Sequence, residues 1–119
     1  MQRVGILPMN GYSVEQLHFT SWKGVHGSAH LYWPDRQQGL LPGVLLCCGH
    51  EAGCKHAQSY QAMARRLARQ GAAVLIADNM GQGERLPMGH SASVLPFACG
   101  MSLQGMLVME SIALLRWLA

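Results

Sequence analysis

Hydrophobic and polar residues alternate along two segments near the start of the chain, 13–20 and 25–33. A period of two is the mark of a strand with one buried face. The short glycine-containing segment between them suits a turn, so residues 13–33 are predicted to form an antiparallel β-hairpin. Residues 1–12 show no clear period, and no element is predicted there.

The pattern changes further along, where two continuous apolar runs flank a segment of helical period. Residues 43–48 and 72–77 are apolar throughout, as strands covered on both faces are. Between them, apolar side chains recur at the spacing of one helix face: Tyr60, Met63, Ala64, Leu67 and Ala68. Gly71 follows, where a glycine commonly ends a helix. Residues 43–78 are therefore predicted to form a βαβ unit with parallel strands.

The last third of the chain is predicted to hold one long loop and one helix. Residues 79–100 lack a sustained period and are expected to form the loop. Residues 102–119 are expected to form a helix that is apolar nearly all round and needs cover on several sides. The pattern as a whole indicates an α/β fold in a single domain over residues 1–119.

The composition and charge indicate which binding partners and which cellular compartment to expect. Half of the residues are hydrophobic, 13% are charged and the formal net charge is +3. The clustered arginines Arg65, Arg66 and Arg69 fall on the polar face of the predicted helix, so no nucleic-acid partner is expected. No segment resembles a signal peptide, and no apolar stretch approaches the ~20 residues that span a bilayer, so no membrane contact is expected. Four cysteines without framework spacing indicate reduced thiols and a cytoplasmic location.

Candidate chemistry lies in two loops, because ligands bind beyond the carboxyl ends of parallel strands. The loops 49–55 and 78–85 follow the two buried strands and are rich in glycine and polar residues. Asp78 is expected to anchor its own loop by accepting backbone N–H groups. Glu84 and Arg85 are expected to pair with each other or with Lys55. The candidate site residues are Gly49, His50, Glu51, Lys55, Asp78, Gln82, Glu84 and Arg85.

The cysteines invite a metal hypothesis that their spacing disfavours. Cys47, Cys48 and Cys54 lie within ten residues of His56, yet adjacent cysteines point to opposite faces of a strand and no second ligand pair follows. We interpret Cys47 and Cys48 as buried structural thiols. Neither a metal nor a cofactor is expected.

Two short glycine-containing segments resemble known motifs, but the residues around them do not fit those motifs. The Gly-Gln-Gly of residues 81–83 lacks the third glycine of a dinucleotide fingerprint, since Leu86 takes that position. Ser91 lies in a string like the Gly-x-Ser-x-Gly nucleophile elbow, but the residues before it do not form a strand. Ser91 is therefore predicted to be a loop serine, and no partner is identified for the adjacent His90.

Four motifs in register carry a family resemblance. They are Leu-Cys-Cys-Gly-His-Glu-x-x-x-Lys at 46–55, Tyr-Gln with Leu-Ala-x-x-Gly at 60–71, Val-Leu-Ile-x-Asp-x-x-Gly-Gln-Gly-Glu-Arg at 74–85, and the helix at 105–119. The chain resembles the α/β-hydrolases of the acetyl xylan esterase and dienelactone hydrolase-like group. It departs from them at positions of the last helix: Met109, Glu110, Ser111 and Arg116.

The resemblance implies the N-terminal half of a three-layer αβα hydrolase fold. It also implies a serine esterase that acts on a small-molecule or carbohydrate ester, with the catalytic serine, acid and histidine outside these 119 residues. Matching the family loop to this chain makes the His50 backbone N–H a donor of the oxyanion hole, with Glu51 as the second candidate. The chain alone is then expected to be inactive.

Two other hypotheses stay open. The chain could be a non-catalytic half-domain that forms homo-oligomers or aggregates through the exposed edge of the strand at 43–48. A Cys/His metal-binding module over residues 47–56 is the third hypothesis.

Overall fold

A computed structural model of the chain describes residues 1–36, 39–89 and 94–119. Its strands form one five-stranded mixed sheet in the order β1-β2-β3-β5-β4. The strands are β1 Gln2–Pro8, β2 Tyr12–Trp22, β3 Val25–Pro34, β4 Gly43–Leu45 and β5 Ala73–Ala77. The helices are α1 Gln58–Arg69, α2 Val94–Ala98 and α3 Leu103–Leu118, with 3-10 turns at Cys54–His56 and Gly83–Met88.

The predicted hairpin is confirmed as the antiparallel pair β2 and β3. Its register runs from the pair Tyr12 and Pro34 to the pair Trp22 and Val25. Packing favours glycine at position 27, because a Cβ atom on Gly27 would collide with the ring of Phe19 on the facing strand.

The predicted βαβ unit is also confirmed, with a shorter first strand than expected. β4 pairs with β5 in parallel through three residue pairs, and α1 makes the connection. Residues 46–48 leave the ladder, although the Leu46 N–H still donates to the Leu75 carbonyl oxygen at 2.9 Å. Gly71 has a φ of 95° just beyond the end of α1, a conformation that glycine adopts without strain. β4 lies at one edge of the sheet.

Helices cover both faces of the sheet, which gives the three layers that the resemblance implied. On one face, Ala64 and Ala68 of α1 pack in a core with Val74 and Ile76 of β5. On the other face, Leu114 of α3 packs in a second core with residues of β2, β3 and β5: Leu17, Phe19, Ala29, Leu31, Ala73 and Leu75.

The expectation for residues 1–12 was wrong, because Gln2–Pro8 forms the edge strand β1. Six of its seven residues are exposed and the seventh is half-buried. An edge strand with both faces near solvent has no reason to alternate apolar and polar residues, so the period-two signal was missing.

The expectation for residues 79–100 was also wrong in part. The 3-10 turn Gly83–Met88 and the short helix α2 interrupt the segment. Neither exceeds two helical turns, which is too short to show an amphipathic period. His90 and Ser91 lie outside the described residues, so the interpretation of Ser91 as a loop serine is still a prediction.

The helices are less covered than their sequences indicated. Met63 was predicted on the buried face of α1 but is 53% exposed, because the helix meets the sheet along the narrow stripe of Ala64 and Ala68. In α3, only Glu110 and Leu114 are buried, while several apolar side chains are exposed: Val108, Met109, Ile112, Leu115 and Trp117. Across the described ranges, no helix has the length and apolarity needed to cross a bilayer.

Candidate functional site

The two candidate loops lie side by side beyond the carboxyl ends of β4 and β5. The Gly83 N–H donates to the Ala52 carbonyl oxygen at 3.0 Å, and the Asn79 side chain donates to the Cys48 carbonyl oxygen at 2.9 Å. Parallel neighbouring strands end at the same edge of a sheet, so the sequence pattern correctly predicted this meeting of loops.

Lys55 carries a buried ammonium group at the junction of these loops. Its side chain is 1% exposed and forms an ion pair with the Asp78 carboxylate, which is fully buried. Lys55 Nζ also donates to Ser28 Oγ and to Glu84 Oε2, both at 2.9 Å. Three polar groups from two other parts of the chain therefore meet around one cation.

Asp78 anchors its loop, as its position after β5 predicted. One carboxylate oxygen accepts the Lys55 backbone N–H at 3.1 Å, and the other accepts the Glu84 backbone N–H at 3.0 Å. Burial works to raise the pKa of Asp78, but the bonds from the Lys55 ammonium and from these two backbone groups outweigh it and hold the pKa below its ordinary value. The Asp78 carboxylate is thus ionised and fully engaged.

Glu84 is the outer carboxylate of the same cluster. The neighbouring Ser28 hydroxyl and the Lys55 ammonium lower the pKa of Glu84 to about 2. The Glu84 side chain is 55% exposed. It therefore offers a permanently charged carboxylate at the surface beside a buried cation.

His56, Asp78 and Glu84 form the group of potential metal ligands among the described residues, with candidate atoms within 4.8 Å of one another. The Lys55 ammonium already binds both carboxylates of this group. His56 Nε2 is 3.7 Å from Glu84 Oε1. The group contains no cysteine, and its geometry suits an ammonium cation rather than a metal.

His30 lies under this cluster, with its ring centroid 5.2 Å from that of His56. Burial and the charges of Lys55 and His56 lower the pKa of His30 to about 4. Its buried Nδ1 atom has no hydrogen-bond partner among the described residues. His30 is therefore a neutral ring at physiological pH.

Arg85 joins the Gly83–Met88 turn to α3. Its guanidinium donates to both oxygens of the Glu110 carboxylate, at 2.8 and 2.9 Å, and to the Asp78 carbonyl oxygen at 3.1 Å. Of the pairings expected from sequence, Glu84 with Lys55 is confirmed, while Arg85 pairs instead with Glu110. With 3% of its side chain exposed, Arg85 serves as a brace between the turn and α3.

The backbone at residues 48–51 is held by side chains from α1 and from the second loop. The Gly49 N–H donates to the Tyr60 hydroxyl oxygen at 2.6 Å. The Glu51 N–H donates to the Gly49 carbonyl oxygen at 3.0 Å. The Gln82 amide group lies against this loop, 3.2 Å from the Gly49 carbonyl oxygen and 3.0 Å from the Glu51 nitrogen. The Gly49 and Glu51 amides therefore both have protein acceptors.

An open cavity of about 760 Å³ separates this loop from α3. His50 lines it from the loop side and Leu107, Val108 and Ile112 line it from the helix side. Cys47 is exposed here, so the expectation that it is a buried thiol was wrong, while Cys48 is buried as expected. The difference follows from the end of β4 at Leu45, which leaves Cys47 on the open side of an edge strand.

Sequence reasoning therefore found the two loops but missed several side chains that organise them: Ser28, Tyr60, Asn79 and Glu110. Asn79 had a usable signal, since it follows Asp78 at a strand end. Ser28 had none, because it is separated from Asp78 by 50 residues and its strand shows no unusual pattern.

Several solved structures share the fold of this chain. No family model and no curated protein matches the chain. A Bacteroides fragilis protein that has been assigned as an acetyl xylan esterase superposes with a TM-score of 0.83 and 18% identity, over 98% of this chain and 37% of its own. The chain thus has an α/β fold that matches this protein.

Two further structures share the fold. A methylesterase superposes with a TM-score of 0.80 and 20% identity, over 95% of this chain and 24% of its own. A cold-adapted esterase from an Arctic intertidal metagenomic library gives a TM-score of 0.61 and 16% identity, over 84% of this chain and 48% of its own. The chain thus spans between about a quarter and about half of the length of these esterases.

Proposed function

We propose that the chain is the N-terminal portion of a serine carboxylic-ester hydrolase of the acetyl xylan esterase and dienelactone hydrolase-like group. The observation that carries the proposal is the position of the 48–51 loop, beyond the carboxyl end of β4 in a fold that matches an esterase over 98% of the chain. In this fold, that loop supplies one backbone donor of the oxyanion hole.

The proposed chemistry is acyl transfer through a covalent acyl-enzyme. A serine hydroxyl attacks the ester carbonyl, a histidine takes the serine proton, and the alcohol leaves with that proton. The His50 backbone N–H donates to the oxyanion of the tetrahedral intermediate. Such a donor is worth about 3 kcal/mol in the transition state, because it faces charge that the substrate lacks.

The catalytic serine, acid and histidine are proposed to come from polypeptide outside these 119 residues. The 119 residues alone would then bind no acyl group covalently. The proposed substrate is a small-molecule or carbohydrate ester. The four free cysteines fit a cytoplasmic location.

The test compares two proteins for hydrolysis of acetyl esters. One is the 119-residue chain, and the other is the product of the same reading frame with all codons that follow Ala119. The longer protein is expected to turn over p-nitrophenyl acetate, and the 119-residue chain is expected to match the buffer rate. Equal rates in the two proteins would contradict the proposal.

The edge position of β4 favours a second candidate, a half-domain that associates with itself. An unpaired strand edge can template another strand, and apolar side chains of the adjacent α3 are exposed. Sedimentation velocity is expected to show mass rising with concentration, and Ile112→Lys is expected to reduce that association. A monomer at all concentrations would remove this candidate.

A further inference from the structure

We propose that Tyr60 and Asn79 are positioning residues that orient the His50 N–H toward the oxyanion. This inference rests on the proposed esterase function. Neither residue touches the substrate in this account. Each acts on the backbone of the loop that carries the donor.

The peptide between Cys48 and Gly49 is held at both of its polar ends. Its carbonyl oxygen accepts a hydrogen bond from Asn79 Nδ2 at 2.9 Å. Its N–H donates to the Tyr60 hydroxyl at 2.6 Å. A planar peptide bonded in opposite directions cannot rotate about its Cα–Cα axis without losing one of these bonds.

The next peptide joins Gly49 to His50 and contains the proposed donor. Its carbonyl oxygen accepts the Glu51 N–H at 3.0 Å. In a trans peptide the N–H points opposite to the C=O. Fixing the Gly49 carbonyl therefore fixes the direction of the His50 N–H.

Gly49 is the hinge between these two peptides, and the Tyr60 hydroxyl restricts it. A Cβ atom on Gly49 would lie 3.1 Å from Tyr60 Oη, its one close contact with the described residues. Glycine lets the hydroxyl reach the backbone N–H. Without the hydroxyl, only the bond from the Glu51 N–H would hold the following peptide, and Gly49 would rotate more freely.

Tyr60→Phe tests the inference, because it removes the hydroxyl and keeps the ring. The measurement uses the complete esterase, with kcat and KM determined separately. We expect kcat to fall by about tenfold to a hundredfold with little change in KM, because the donor acts on the transition state. Tyr12→Phe is the matched control, since it removes a hydroxyl from a ring in the core on the same face of the sheet.

A second variant separates positioning from general damage. Gly49→Ala is expected to lower kcat like Tyr60→Phe, because its methyl group displaces the Tyr60 hydroxyl. In the double variant the phenyl ring leaves room for that methyl group, so the two losses should not multiply. Losses that multiply, or an equal fall of kcat in Tyr12→Phe, would overturn the assignment of Tyr60.

Two further results separate the inference from the proposed function. An active parent enzyme whose kcat is unchanged by Tyr60→Phe overturns the inference and leaves the proposed function standing. A complete parent protein without esterase activity overturns the proposed function and the inference with it.

Discussion

Replacing Lys55 by methionine tests whether the buried cluster holds the two loops together. Methionine keeps most of the side-chain length and removes the charge. The variant leaves the Asp78 carboxylate buried without its counterion. Removing one partner of a buried ion pair costs about 3–5 kcal/mol.

That loss is large for a domain of this size, since a small domain has about 5–15 kcal/mol in total. The exposed pair of Arg3 and Glu15 supplies the contrast, with 60% of the Arg3 side chain exposed. Arg3→Met is expected to change the free energy of unfolding by about 1 kcal/mol or less, because solvent screens a surface pair. The same chemical change should therefore have very different effects at the two sites.

The assay is urea denaturation of the 119-residue chain followed by far-ultraviolet circular dichroism. If Lys55→Met is unfolded without urea, trimethylamine N-oxide can restore folding and bring its transition into range. Adding Asp78→Asn to Lys55→Met should cost less than the sum of the single changes, because the unpaired charge is then gone. A free energy of unfolding for Lys55→Met within about 1 kcal/mol of the parent would refute the reasoning.

Three other predictions follow from the site. The pKa values of Asp78 and Glu84 are lower in the folded chain, so their stabilisation is present above about pH 5 and is lost as pH falls toward about 2; Glu84→Gln should flatten that fall in urea titrations, and an unchanged slope would contradict it. The ring of His30 should stay neutral in NMR titrations down to about pH 5, because burial and the Lys55 and His56 charges lower its pKa to about 4; a midpoint near 6.5 would contradict that environment. In the proposed complete esterase, His50→Pro should have a kcat about 10²- to 10³-fold below that of His50→Ala, because only proline removes the N–H; equal kcat values would exclude this N–H as a donor.

Periodicity predicted much of the fold, because the pattern of hydrophobic residues follows which side chains are buried. In β2, buried Leu17 and Phe19 alternate with exposed neighbours, and β5 is apolar throughout because helices cover both of its faces. β1 gave no signal because its side chains are exposed. Periodicity reports burial, so it finds only those elements that bury a face.

The site residues also fall into those that the local sequence predicted and those that it could not predict. The position of Asp78 after a buried strand predicted its role, because strand ends and backbone donors are local features. The partners of Lys55 and Arg85 could not be assigned fully, since Ser28 and Glu110 come from distant segments. The Tyr60 hydroxyl was also missed, because helical spacing places a tyrosine on a face without indicating what its hydroxyl reaches.

Fluorophosphonate labelling followed by intact mass spectrometry tests the central claim most directly. The claim is that these residues form the scaffold and one oxyanion donor of a serine esterase whose nucleophile lies outside them. We expect no label on the 119-residue chain and one label, on a serine after Ala119, in the product of the extended reading frame. Stoichiometric labelling of the 119-residue chain, at Ser91 or any other serine, would contradict the account.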